Sequence, residues 1–242
     1  MMEDYTPPIG QLFQEKTKYL RSTVESSWTA KKKVARDLSP EKIIPLPKPR
    51  FEKGLDFWTI LKKRRSIRDY QTGSLSLVEL AKLLWATQGI TGGTISPWYR
   101  TVPSAGALHP IDTYLVINRV EEVPAGIYFF QVEDFSLQEK RTGDFSRPIA
   151  SAALGQEMAL TAAVVFVWVA VINRCRQKYR QRAYRYIYLD CGHIGQNLYL
   201  AATAMNLGCC TIGAFFDDEV NALLEIDGQE ETTIYLATIG KI

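Results

Sequence analysis

Three arginines and a serine fill a five-residue stretch, Arg64-Arg65-Ser66-Ile67-Arg68. A guanidinium presents its donors in a fixed fork, so clustered arginines favour a planar or multi-oxygen anion such as phosphate. The serine adds a compact group that both donates and accepts, suited to a neighbouring hydroxyl. The functional reading is a clamp for a phosphate and a polyol. The plain alternative is a solvated basic turn, the usual fate of short basic runs.

Three further segments lack the composition of simple connectors. Pro103-Ser104-Ala105-Gly106-Ala107-Leu108-His109-Pro110 is small and polar enough for a ligand ring to approach its backbone closely. His109 precedes a proline, which predicts an extended residue with its ring available; a tight turn opening a strand would read the same way. Cys210-Thr211-Ile212-Gly213-Ala214-Phe215 sets a glycine beside an aromatic at a strand end. Backbone amides there are natural donors to a heterocycle, although an ordinary strand-to-helix turn has the same composition. Residues 174–185 hold six basic residues and no acidic one. If helical, Arg174, Lys178, Arg182 and Arg185 share a face. Interleaved with Tyr179, Tyr184 and Tyr186, they could bind single-stranded nucleic acid, attract an anionic cofactor or substrate, or form a solvated face. No RNP, KH or helix-turn-helix pattern accompanies them, which argues against nucleic acid. His193 sits inside a helical pattern and reads as a buried structural residue. No GxSxG, Walker A, GxGxxG or HExxH motif is present, so Ser-His-Asp hydrolysis has no support.

The elements that must position these groups read as α+β. Ile44-Pro45-Leu46-Pro47-Lys48-Pro49 lacks backbone donors at alternate positions and predicts an extended strap or linker. Leu55–Lys63 reads as a short helix leading into the arginine run. Ser76 and Glu79 match a capping box, and the helix they open ends at Gln88-Gly89. A Gly-rich loop at 89–100 follows. Strands are expected at Ile111–Asn118, Gly126–Val132, Phe135–Glu139 and 162–172, the last buried on both faces. From Ala183 to Leu207, residues Ile187, Cys191, Ile194, Leu198, Ala201 and Met205 recur at helical spacing, with Gly192, Gly195, Ala202 and Ala204 small enough for close backbone approach. Gly208 is the expected stop. A strand-like run at Cys209–Ala214, a helix at Glu219–Leu224 and a strand at Thr232–Ile239 complete the pattern, with no internal repeat.

At 242 residues, 46% hydrophobic and 23% charged, the chain has the composition of an ordinary soluble protein. A net charge of +3 is too small to argue for nucleic acid. Four cysteines without CxxC spacing and two histidines argue against a zinc site, and free thiols suit a reducing cytoplasm. The N-terminus lacks the pattern of a signal peptide, and the most apolar run, Ala159–Ile172, falls well short of the roughly 20 residues that a membrane helix needs.

Taken in order, the segments resemble the nitroreductase superfamily, specifically its SagB/ThcOx-type dehydrogenases. The matching pieces are the arginine run, Leu83–Thr91, Arg100–Pro110, Gly126-Ile127-Tyr128, Lys178–Tyr186, Gly192–Leu198 and Ile212–Phe215. The resemblance covers residues 43–242, which it marks as an FMN-binding domain preceded by an N-terminal extension or strap at 1–42. It implies a central, mostly antiparallel sheet covered by helices, with a long central helix. It also implies an FMN-dependent oxidoreductase working as a homodimer, with each flavin at the interface. By position, Arg64, Arg65 and Ser66 resemble the phosphate and ribityl contacts, with Arg68 close behind. Pro103, Ser104, Ala105 and Gly106 resemble the loop that the partner lays against the flavin. Gly213 and Ala214 resemble the backbone facing its reactive edge, where an amide would stabilise the hydride-accepting centre. Lys178-Tyr179 is similar to the catalytic pair of azoline dehydrogenases, in which one member takes a ring proton while the flavin takes hydride. Hydride would pass between flavin and a small organic substrate or NAD(P)H. The alternatives are an azoline dehydrogenase acting on a modified peptide, which would need a peptide-presenting partner, and a non-catalytic flavin-binding protein. Two departures stand out. The chain lacks a further basic phosphate contact in a C-terminal arm, for which Lys241 or the run at 174–185 could substitute, and it lacks a separate peptide-binding domain.

Overall fold

A computed structural model describes residues 9–16, 42–51, 54–93 and 99–242. Most of the expected N-terminal strap, and the middle of the Gly-rich loop, lie outside these residues. In chain order the elements are α1 (Ile9–Lys16), β1 (Ile43–Pro45), α2 (Phe57–Lys63), α3 (Leu77–Gln88), β2 (Ile90–Gly92), β3 (Tyr99–Arg100), β4 (Ile111–Ile117), β5 (Gly126–Gln131), β6 (Ser136–Thr142), α4 (Ser146–Ala152), α5 (Glu157–Thr161), β7 (Val164–Val171), α6 (Ile172–Tyr179), α7 (Ala183–Ala204), β8 (Leu207–Ile212), α8 (Asp217–Leu224) and β9 (Glu231–Lys241).

Seven strands form one antiparallel sheet in the order β1-β6-β5-β4-β7-β9-β8. β7 explains the layering. From Val164 to Ala170 every side chain is buried, because a strand alternates its side chains between two covered faces. Phe166, Trp168 and Ala170 join the cluster beneath α3, α6 and α7. Val165, Val167 and Val169 join the cluster beneath α4, α5 and α8. The sheet is thus the middle of three layers, and α7 lies along one of its faces.

The capping box at Ser76 and Glu79 is present in both directions, at 3.2 and 2.8 Å. α7 presents Ile187, Cys191, Ile194 and Leu198 to the core, all at most 3% exposed.

Several local expectations are corrected. The Ile44–Pro49 strap begins as a strand, since Ile43–Pro45 pairs with β6 at the sheet edge, where proline's missing donor costs least. The Gly-rich loop carries a two-stranded ribbon, β2 with β3. The basic run is not one helix: α6 ends at Tyr179 and Arg180 takes φ 50°, ψ −131°, so Arg174 and Arg185 share no helical face. Asn206 at φ 55° follows the end of α7, rather than Gly208, which lies inside β8. His193 is exposed, not buried, and a Cβ on Gly192 would meet nothing within 4 Å. His109 is not extended, since its φ is 45°.

Candidate active site

The arginine run leaves α2 in extended form and lies beside β8, with Ile67 N donating to Cys209 O at 2.9 Å. That contact brings Ser66 to the C-terminal half of α7. The Ser66 hydroxyl is 2.8 Å from Tyr199 Oη, and Tyr199 Oη accepts from Thr211 N at 2.9 Å. Tyr235 Oη donates to Thr211 Oγ1 at 2.7 Å. The Arg64 guanidinium stands 5.3 Å from the centroid of the Tyr199 ring, within cation–π range. Tyr199 therefore joins the arginine run to the end of β8. Beyond that end Gly213 and Ala214 are exposed, and a Cβ on Gly213 would touch only the Tyr235 ring, at 3.8 Å. This stretch of backbone is open to a flat ligand.

The other two arginines point elsewhere. Arg65 Nη1 donates to Arg64 O at 2.7 Å and Lys62 O at 3.1 Å, closing the end of its own helix. Arg68 borders a shallow cavity of about 430 Å³ with Tyr70 and Gln156. Gln156 Nε2 in turn donates to Ala214 O at 2.9 Å, so Arg68 and Ala214 flank one corner. Among the described residues none of the three arginines has a carboxylate partner. Lys241 is engaged by Glu79 at 2.6 Å.

The second expected segment gathers around the N-terminal half of α7. Ser104 Oγ donates to Asp190 Oδ2 at 2.5 Å, and Ala105 N lies 3.2 Å from both carboxylate oxygens. Ser104 Oγ also accepts from His109 N at 2.9 Å. Within the loop Gly106, Ala107 and His109 have φ of 62°, 54° and 45°. For the two non-glycine residues this conformation costs on the order of 1 kcal/mol each. A Cβ on Gly106 would stand 2.7 Å from both Lys178 Nζ and Tyr179 Oη. Only glycine lets the two polar tips meet the loop in this way. Pro103 leads into this segment, which follows Thr101, whose carbonyl accepts from Asn197 Nδ2 at 3.4 Å.

The expected residues thus fall into two groups rather than one. Arg64, Ser66, Gly213 and Ala214 gather near Tyr199, and Ser104, Ala105, Gly106, Lys178 and Tyr179 gather near Asp190. Nine residues of helix separate Asp190 from Tyr199, which places them about 14 Å apart along α7 and about 180° apart around it. The helix exposes Tyr188 and Leu189, at 55% and 60%, just before Asp190, and Gly192, His193 and Gln196 between Asp190 and Tyr199.

In the basic run, Arg174 pairs with Asp112 through both nitrogens, at 2.5 and 3.0 Å. Arg176 pairs with Glu230 at 2.5 Å. The sequence reading named neither Tyr199 nor Asp190. Asp190 is the one acidic residue of α7 and sits three after Ile187 and four before Ile194, within the apolar stripe. A lone carboxylate on a buried face was the available signal. Burial pushes its carboxyl above the ordinary range, opposed by the bonds from Ser104 and Ala105 and by nearby His193.

Comparison with known proteins identifies relatives of the chain. The model of the nitroreductase family matches residues 61–241. A protein of Methanocaldococcus jannaschii that carries a nitroreductase name is 35% identical over 182 residues, 75% of this chain and 89% of that protein. A crystal structure from Anabaena variabilis, also named for a nitroreductase, superposes with a TM-score of 0.72 at 33% identity. That match covers 83% of this chain and 42% of the Anabaena chain. The trifolitoxin-processing protein TfxB of Rhizobium leguminosarum bv. trifolii is 29% identical over 133 residues, 53% of this chain and 36% of that protein. The chain therefore spans less than half the length of the last two.

Proposed function

This chain belongs to the nitroreductase family, and from that premise we propose an FMN-dependent oxidoreductase of the SagB/ThcOx type. It passes hydride between a small organic substrate or NAD(P)H and the flavin. The observation that carries the reading is the cradle around Tyr199, where the Arg64 guanidinium, a serine hydroxyl and an open backbone meet. Those donor types match a phosphate, a polyol and a flat heterocycle. Arg64 and Ser66 would hold the phosphate and ribityl chain, with Arg68 and the exposed Arg65 at the rim. Gly213 and Ala214 would present their backbone to the ring. When bound, FMN supplies a two-electron hydride acceptor.

The second group completes the site from a partner copy. One chain cannot bring Ser104 to Ser66 across opposite sides of α7, whereas a two-fold partner packed on the exposed face between them can. α2 buries none of its residues and leaves Phe57 56% and Trp58 75% exposed beside α7, as a surface covered in a dimer would. Pro103–Gly106 of each chain would then close over its partner's flavin, with Lys178 and Tyr179 above as proton carriers. Four free, buried cysteines suit a reducing compartment such as the cytoplasm. No helix among the described residues is long and apolar enough to cross a membrane.

The visible spectrum of the purified protein, with its flavin-to-chain ratio after denaturation, is the direct test. One FMN per chain is expected, and a colourless protein that cannot be reconstituted with FMN would sink the reading. Similarity to a trifolitoxin-processing protein favours a second, narrower reading, dehydrogenation of an azoline ring in a modified peptide. There Lys178 or Tyr179 would take the ring proton while hydride leaves to the flavin. Azole formation from a thiazoline peptide, without it from the Lys178→Ala variant, would support this reading.

A further inference from the structure

Asp190 is 5% exposed, and it lies in the middle of a helix rather than at an end. A buried carboxylate is expensive unless its oxygens accept hydrogen bonds, and here they accept from Ser104 Oγ and Ala105 N. Ser104 Oγ, so held, takes the amide of His109. The bonds thus pin the first residues of the loop directly and its far end through one intermediary. Between those points lie the left-handed residues Gly106 and Ala107, and beyond right-handed Leu108 comes left-handed His109. Nothing in the local sequence favours that conformation at Ala107, and Pro110 disfavours it at His109, so the loop's shape depends on what grips it. The shape matters because the polar tips of Lys178 and Tyr179 rest over the Cα of Gly106. Lys178 is partly exposed and at the end of α6, where the backbone turns sharply through Arg180.

We propose that Asp190 is a positioning residue: by gripping Ser104 and Ala105 it sets the Gly106 turn, and through that turn it fixes where Lys178 and Tyr179 present their exchangeable protons. The inference rests on the reading of Lys178 and Tyr179 as proton carriers at a flavin site. Asp190 itself exchanges no proton with substrate. It acts through the loop, so its loss disturbs proton delivery more than cofactor retention, which depends on the group around Tyr199.

The test compares Asp190→Ala, Asp190→Asn and Ser104→Ala in the full chain. Two quantities are read: backbone amide exchange at residues 104–109, with and without FMN, and the steady-state kinetics and pH profile of menadione reduction by NADPH. In Asp190→Ala, exchange at 104–109 is expected to rise at least about tenfold, while amides of β7 stay protected. kcat is expected to fall by about a hundredfold, as for a displaced catalytic group, with KM little changed and the pH profile altered. Asp190→Asn, which keeps an acceptor oxygen in place and is nearly the same size, should recover most of both. Ser104→Ala should loosen the loop as Asp190→Ala does. Unchanged exchange at 104–109 in a folded Asp190→Ala variant would overturn the proposal. A loosened loop with wild-type kcat and pH profile would overturn it as firmly. If the wild-type chain takes up no FMN, the exchange measurement on the cofactor-free protein still decides whether Asp190 grips the loop. Failure of the flavin reading is thereby kept apart from failure of this one.

Discussion

The two groups that flank α7 are built on different principles. Around Tyr199 the partners are neutral hydroxyls and a backbone amide, carried by a helix, two strands and the extended segment of Ser66. Each hydroxyl both donates and accepts, so the chain from Ser66 to Tyr235 is satisfied without burying a charge. Around Asp190 a buried carboxylate grips a loop of left-handed residues, beneath a lysine and a tyrosine. The first arrangement is stiff and suits the unreacting part of a cofactor. The second holds strain and mobile protons, which suits chemistry. The division of labour implied is retention on one side and turnover on the other.

The largest effect that tests this division comes from the Lys178→Ala, Tyr179→Phe double variant. General acid–base catalysis contributes about 10²- to 10⁴-fold, so turnover should fall by that order while FMN affinity stays within about twofold. Unchanged turnover in every redox assay would instead favour a flavin-binding protein without catalysis through this pair. Arg64→Ala probes the opposite side. A hydrogen bond to a charged group is worth roughly 1.5–3 kcal/mol, so FMN affinity should fall about ten- to a hundredfold by fluorescence titration. Turnover at saturating FMN should recover. If Arg64→Ala lowers saturated turnover as much as affinity, the two sides are not separate.

How much of this division the sequence could reveal depends on periodicity. β7 was legible because the β-branched content and polar flanks of the apolar run at Val164–Ala170 point to a strand covered on both faces. The capping box at Ser76 was legible because it is a local bond pattern. The segments of the proposed site stood out by composition, since small and basic residues contrast with a periodic background. Their grouping was not legible, because Ser66 meets Tyr199 across 133 positions and Ser104 meets Asp190 across 86. Contacts at such separations leave no local signature. The break at Arg180 was missed for another reason: no glycine or proline marks it, and the helical spacing of the basic residues ran straight through. His109 was misread because the preference of a residue before proline yielded to the Ser104–Asp190 grip.

A smaller effect is expected from Gly106→Ala. A methyl at φ 62° costs about 1 kcal/mol in backbone conformation, and it would also displace the tips of Lys178 and Tyr179, 2.7 Å away. Thermal melting should show the destabilisation, and turnover should drop more than FMN affinity does. The reverse order, with affinity lost and turnover kept, would move Gly106 to the retention side.

The smallest effect separates the two sides by pH. Burial raises the Asp190 carboxyl above its ordinary value near 3.8, despite the opposing bonds from Ser104 and Ala105 and the nearby His193. The folded state therefore holds this proton more tightly than the unfolded state does. The sign follows from linkage. Below 3.8 both states are protonated at this site and burial carries no charge penalty. As pH rises from there through the raised folded value, stability drains away, and above that value the full penalty remains. Asp190→Asn abolishes this titration, so the stability of the variant relative to wild type should increase from acid to neutral pH. Denaturant unfolding at several pH values measures that difference. The neighbouring Cys175 and Cys191 thiols are both pushed up by burial, Cys175 to about 12, so neither titrates in the acid range and confounds it. Tyr199→Phe, which removes no carboxylate, should show a pH-independent loss instead. A flat difference for Asp190→Asn would mean that its bonds to the loop offset burial fully, and the contrast between a charged grip and a neutral one would fail.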